Sequence, residues 1–114
     1  MNILEDINEV LKALGIPIET GVFKSEATDT YIVLVPLTDT FPLNADDMPQ
    51  TDLQELRITL FSKGNYIKLK NKITAKLLSA DFCITGRRYN GFDTGVGYHQ
   101  YTIDVAKNYE IMED

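Results

Sequence analysis

The sequence contains one cysteine, Cys83, and one histidine, His99. A single cysteine excludes a disulfide within the chain and fits a reducing compartment. One thiol and one imidazole also fall short of a closed zinc site. Asp39, Asp46, Asp47 and Asp52 are the nearest thing to a hard-cation cluster, and they lack calcium-loop spacing. No run of about 18 apolar residues is present, so no membrane-spanning helix is expected. The opening MNILEDINEV is acidic and amphipathic, whereas a secretory signal needs a basic start and an apolar run. The mature chain is therefore expected to begin near Met1.

Catalytic signatures are equally scarce. Cys83 and His99 are the only nucleophile–base pair, and no third group with a local signature orients them. They read as a buried thiol and an imidazole on a sheet face. Gly91, Gly95 and Gly97 lie in NGFDTGVG. A phosphate cradle leads from a strand into a helix N-terminus. Here a strand follows, so the glycines read as a hairpin turn. No catalytic residue, cofactor site or metal site is expected, and the chain reads as non-enzymatic.

What is present is the patterning of one ordinary globular domain. The chain has 114 residues, 44% hydrophobic and 25% charged, enough to bury a core without disulfides or metals. Ile3, Leu4, Ile7, Val10, Leu11 and Leu14 make one helical stripe. Asn2 caps it, Glu5 answers the cap, and Gly15 with Pro17 stops it. Ile18–Phe23 alternates as a short strand, and Ser25–Thr30 reads as a turn. Tyr31–Leu37 is β-branched and continuously apolar, as a strand covered on both faces would be. Pro36 should fall at its end or on a bulge. Residues 38–52 have neither period and form a long loop of the kind that often carries function.

Leu53–Phe61 alternates again as a strand. Tyr66, Leu69, Ile73 and Leu77 then predict a second helix ending near Ser79. Phe82–Tyr89, a turn over Asn90–Gly97 and Tyr98–Tyr109 predict a terminal hairpin. His99, Tyr101, Ile103, Val105 and Lys107 share one face of its second strand. Tyr89, Tyr98, Tyr101 and Tyr109 gather around it as packing or interface aromatics. The expected fold is α+β: one domain over residues 1–114, order α-β-β-β-α-β-β, a mostly antiparallel sheet with two helices on one face.

The formal net charge of −6 argues against a general nucleic-acid binder. It is unevenly distributed. Met1–Leu56 has eleven acids against two lysines, Arg57–Arg88 has eight bases against one acid, and Tyr89–Asp114 has five acids against one lysine. Lys68, Lys72 and Lys76 repeat at spacing four and form a ridge on the second helix. With Arg87 and Arg88 they are candidates for a subunit interface, opposite Asp39, Asp46 and Asp47 from the acidic half. A subunit with separated charges suits head-to-tail association, which closes into a ring when the rotation allows. A solvated helix face and a nucleic-acid contact through the three lysines are the competing readings.

The segment ITGRRYNGFDTGVGYHQYTIDVAKNYE, Ile84–Glu110, resembles the C-terminal hairpin of tail-completion proteins of tailed bacteriophages. The matching features are the arginine-bearing strand, the Gly/Asp turn and the Y-H-x-Y-x-I-D-V run. The element order of the whole chain is similar to that of the same group, which includes tail terminators, head–tail joining proteins and minor tail or capsid proteins of Gram-positive phages and prophages. The resemblance implies a virion-assembly subunit, present in the host cytoplasm until it joins the particle. It would form a ring, commonly a hexamer, at the tail end. Its partners would be copies of itself, the tail tube and head-connector proteins, with no membrane and no sequence-specific nucleic acid. Residues 38–52 and the turn over 90–97 would contact neighbours or line the channel, where an acidic lumen would repel passing DNA. The alternative is a non-viral bacterial interaction module or regulator of the same fold class.

Overall fold

The computed structural model describes residues 2–21, 29–40 and 51–110. Its elements are α1 (Ile3–Leu11), β1 (Ile18–Thr20), β2 (Thr30–Thr40), β3 (Thr51–Ser62), α2 (Tyr66–Ser79), β4 (Cys83–Asp93) and β5 (Tyr98–Glu110). This is the α+β order α-β-β-β-α-β-β. The five strands form one sheet in the order β1-β2-β3-β5-β4. β2–β3, β3–β5 and β4–β5 are antiparallel. β1 runs parallel to β2, with Ile18 opposite Ile32 and Thr20 opposite Leu34. A turn alone would have made that pair antiparallel. Val22, Phe23 and most of the expected turn, residues 22–28, lie outside the described residues, as do residues 41–50 of the expected long loop.

Both helices bury their stripes on the same face of the sheet. Ile3, Ile7 and Leu11 of α1 and Ile73 and Leu77 of α2 pack on Ile32, Leu34, Leu56, Ile58, Leu60, Ile103 and Val105. Burying a leucine or isoleucine fully contributes roughly 1.5–3 kcal/mol. A one-residue slip of β3 would turn Leu56, Ile58 and Leu60 away from the helices, so this core holds the register.

The Asn2 side chain accepts from Glu5 N–H at 2.9 Å, and the Asn2 amide donates to Glu5 Oε1 at 3.4 Å. The stripe through Leu14 continues past α1 as a 3-10 turn, Lys12–Leu14, capped by Gly15 at φ 69°. The chain is thereby wound tighter just before Pro17. Asn65 starts α2 by accepting from Lys68 N–H at 3.1 Å.

Two expected boundaries move. β2 runs on past Pro36 to Thr40 through a shift in register between Pro36 and Asp39, so the proline sits at a bulge. The hairpin turn is shorter than Asn90–Gly97. A second bulge at Asn90, with Gly91 at φ 124°, returns β4 to pairing, so that Phe92 faces His99 and Asp93 faces Tyr98. Residues 94–97 remain for the turn, closed by Gly97 N–H donating to the Asp93 carbonyl at 2.6 Å.

Candidate interaction surfaces

α2 contains four lysines, Lys68, Lys70, Lys72 and Lys76, and no acid. Its buried stripe divides them into two sides. Lys68 and Lys72 are exposed, and Lys76 is half-buried beside Val10 of α1. There Lys76 helps wall a shallow cleft of about 380 Å³ with Val10, Ala75, Ser79 and Ala80. None of these three lysines forms an ion pair among the described residues.

Lys70 lies two residues, or about 200°, around the helix from Lys68. It places its ammonium 5.1 Å from the Tyr101 ring. Next to it, Thr74 Oγ1 donates to the Lys70 carbonyl at 2.7 Å and accepts from Arg87 Nη1 at 3.5 Å.

The five candidate bases are therefore not one patch. Arg87 pairs with Ile103, which faces the helices, and Arg88 pairs with Thr102, which faces away. Arg88 Nε donates to Asn90 Oδ1 at 3.0 Å, and the Asn90 amide donates in turn to Thr102 Oγ1. Strand alternation separates neighbours in sequence that the charge pattern groups together. Asp39 is exposed near the end of β2, opposite Gln54. Asp46 and Asp47 lie outside the described residues.

The acidic counterpart among the described residues is α1, with Glu5, Asp6 and Glu9. Glu9 meets Lys12 at 2.7 Å, but both side chains are 67% exposed, and such pairs contribute little. The helical layer thus sets an acidic helix beside a basic one. On the opposite sheet face, Arg57 and Asp104 form a two-point pair across β3 and β5 at 2.9 and 3.1 Å. The hydrogen bond to Asp104, more than its charge, raises the Arg57 pKa further above its already high value. That pair holds the middle of the helix-free face in balanced charge.

Cys83 is exposed, which corrects the expected buried thiol. It pairs with Ala106, whereas His99 pairs with Phe92. Seven residues of β5 separate the two positions, roughly 23 Å at strand rise, and they occupy opposite faces. No thiol–imidazole pair is assembled. Among the described residues no three His, Cys, Asp or Glu side chains converge as metal ligands.

The tyrosines likewise divide into three places. Tyr89 and Tyr101 join Tyr66 of α2 and His99 in one cluster, with Tyr66–Tyr89 and Tyr66–His99 centroids both 5.0 Å apart. The Tyr89 hydroxyl hydrogen-bonds His99 Nδ1 at 2.9 Å. Tyr98 packs edge-on against Tyr31 and Phe61 on the helix-free face. Tyr109 lies at the far end of β5 and donates to Asp6 Oδ2 at 2.6 Å.

Two features were invisible to periodicity and charge counting. β4 is an edge strand 11 residues long. Tyr89 and Phe92 on it, and Ile67 on α2, are large apolar side chains left 43–52% exposed. The run of polar and glycine residues in ITGRRYNG was the available signal for an edge, since a strand buried on both faces would be apolar throughout.

No family model matches this chain, and no curated protein matches it.

Proposed function

We propose that this chain is a non-enzymatic structural subunit that associates head to tail with copies of itself. Its role would be similar to that of a bacteriophage tail-terminator or head–tail joining protein, in the virion and, during assembly, in the host cytoplasm. The observation that carries the reading is the helical layer. α1 brings three acids, α2 brings four lysines, and both lie on one face of one sheet. A subunit that carries an acidic helix and a basic helix suits heterologous contacts, which close into rings when the rotation allows. The wording of the Ile84–Glu110 hairpin supports the phage setting, with a tail tube and a head connector as the other partners.

The test is the mass of the purified protein in solution. The wild type is expected to form a discrete oligomer. Lys68→Glu, Lys72→Glu and Lys76→Glu together should dissociate it. Adding Glu5→Lys and Glu9→Lys to that variant should restore it. A wild type that stays monomeric across concentrations, with the lysine variant losing DNA retention instead, would favour nucleic-acid binding.

A further inference from the structure

The sheet edge at β4 and the flank of α2 beside it form one continuous border. Arg87 of β4 reaches Thr74 of α2 at 3.5 Å, and Tyr89 stacks on Tyr66 with centroids 5.0 Å apart. α2 therefore runs antiparallel to β4, with its Thr74 side turned to the edge. Ile67 lies seven residues before Thr74 and Leu78 four after it, so both share that side of the helix. Ile67 and Leu78 are more than half exposed, and Tyr89 and Phe92 on the strand are nearly so. The other large exposed apolar side chains among the described residues, Leu37 and Val96, lie on β2 and in the hairpin turn. The border is also cationic. Arg87 and Arg88 are exposed, and α2 contains no acid. Neither arginine forms an ion pair among the described residues. Asp104, which pairs with Gly86 across the sheet, is held by Arg57.

We infer that the β4 edge takes an extended, acidic segment of a partner protein as an added strand. Two adjacent carboxylates of that segment lie opposite Arg87 and Arg88. Apolar residues on either side of them pack on Tyr89, Phe92 and Ile67 at one end and on Leu78 at the other. This surface is separate from self-association and does not depend on it. An edge strand presents unpaired N–H and C=O groups, which an extended chain satisfies. Gly86–Tyr89 is the regular run between the two bulges of β4, and it holds both arginines. Successive residues of an added strand point to opposite faces. Adjacent acids therefore meet Arg87 on the helix side and Arg88 on the other, and opposite charges directly across a strand pair stabilise it. Ile67 and Leu78 are about 16 Å apart along α2, which about five residues of an extended chain span.

A second copy offers no such strand at its described sheet edges. Its β1 spans only Ile18–Thr20, and pairing through the regular run of its β4 would set arginine near arginine. Single-stranded nucleic acid binds by stacking on open ring faces. Here Tyr89 is already stacked on Tyr66, and Phe92 lies 4.7 Å from the His99 ring.

Fluorescein-labelled peptides of about eight residues test the surface. One set has two central glutamates flanked by valine, leucine or phenylalanine, and a matched set has lysines at the centre. Fluorescence anisotropy should show the glutamate set binding. Binding should be weaker by about tenfold or more for the lysine set and for Arg87→Glu with Arg88→Glu. Ile67→Ser with Leu78→Ser should weaken it severalfold. All four substituted side chains are exposed, so both variants should keep the wild-type circular dichroism. Bound peptide should slow hydrogen exchange at the outward amides of Gly86–Tyr89. No binding by any glutamate peptide, equal binding to the arginine variant, or binding that leaves β4 exchange unchanged would each overturn the proposal. Protection of β4 in the protein alone that rises with its concentration would overturn it in favour of a second copy. Retention of single-stranded DNA without binding of the glutamate peptides would overturn it in favour of nucleic acid.

Discussion

Tyr109 shows how one side chain can connect the two ends of a chain. It lies near the end of β5, its ring is buried, and its hydroxyl donates to Asp6 in the first turns of α1. Burial first, and the hydrogen bond to Asp6 second, hold its pKa well above the ordinary 10.0. A raised folded-state value gives stability that is fully present below the unfolded value and is lost as the pH climbs through the folded one. Denaturant midpoints should therefore hold up to about pH 10 and fall progressively above it. Tyr109→Phe should make that fall shallower and cost about 1 kcal/mol at neutral pH by removing the hydrogen bond. Equal alkaline slopes in the two proteins would show that Tyr109 is not the group responsible. Tyr31, raised chiefly by burial and then by Tyr98, acts in the same direction and would supply what remains of the slope.

At the scale of elements, α2 shows how local rules can be obeyed with one exception. Asn65 caps its start, and a Schellman motif closes its end, with Phe82 N–H donating to the Leu77 carbonyl at 3.1 Å and Asp81 N–H to the Leu78 carbonyl at 3.2 Å. Leu77 and Phe82 are both in the core, which supplies the apolar contact that accompanies this motif. The residue in the left-handed position is Asp81, at φ 66°, where glycine carries no Cβ penalty. Asp81→Gly should therefore stabilise the protein by about 0.5–1 kcal/mol, read as a rise in the urea midpoint at unchanged slope. A fall would mean that the Asp81 side chain contributes more than its backbone costs. β4 shows the same interplay of rule and exception. Its turn residues predicted a loop from Asn90, yet the Asn90 bulge and Gly91 return the chain to pairing through Asp93. Turn propensity was legible in the sequence; that a partner strand would accept three more pairs was not.

At the scale of the molecule, the separation of charge predicts how assembly responds to salt. Exposed charges interact over a Debye length of about 8 Å at 0.15 M and about 3 Å at 1 M. The oligomer fraction measured by sedimentation should fall as sodium chloride is raised through that range. Assembly that tightens with salt would indicate an apolar seam built on Ile67, Tyr89 and Phe92.

The α+β order, the helix stripes and the two-helix face could be read directly from residue spacing, because amphipathic periods report which side of an element is buried. The Asn2 cap of α1 was legible for the same local reason, whereas the Asn65 cap of α2 came only from the structure. The grouping of Lys68, Lys72, Lys76, Arg87 and Arg88 was not sound, because counting charge along the chain ignores which face each residue takes. The lysine ridge lies beside α1, Arg87 meets the far side of α2 at Thr74, and Arg88 points to the opposite sheet face.

Sequence alone determined the elements, their order, their buried sides and the segregation of charge by segment, since each depends on residues within a few turns of one another. Only the tertiary structure decided that β1 runs parallel to β2, that β5 lies between β3 and β4, and that the acidic and basic segments become neighbouring helices on one sheet face. Those outcomes depend on pairing between distant strands. The many registers and orders available to amphipathic strands are distinguished by the packing of the assembled core, which no single segment contains.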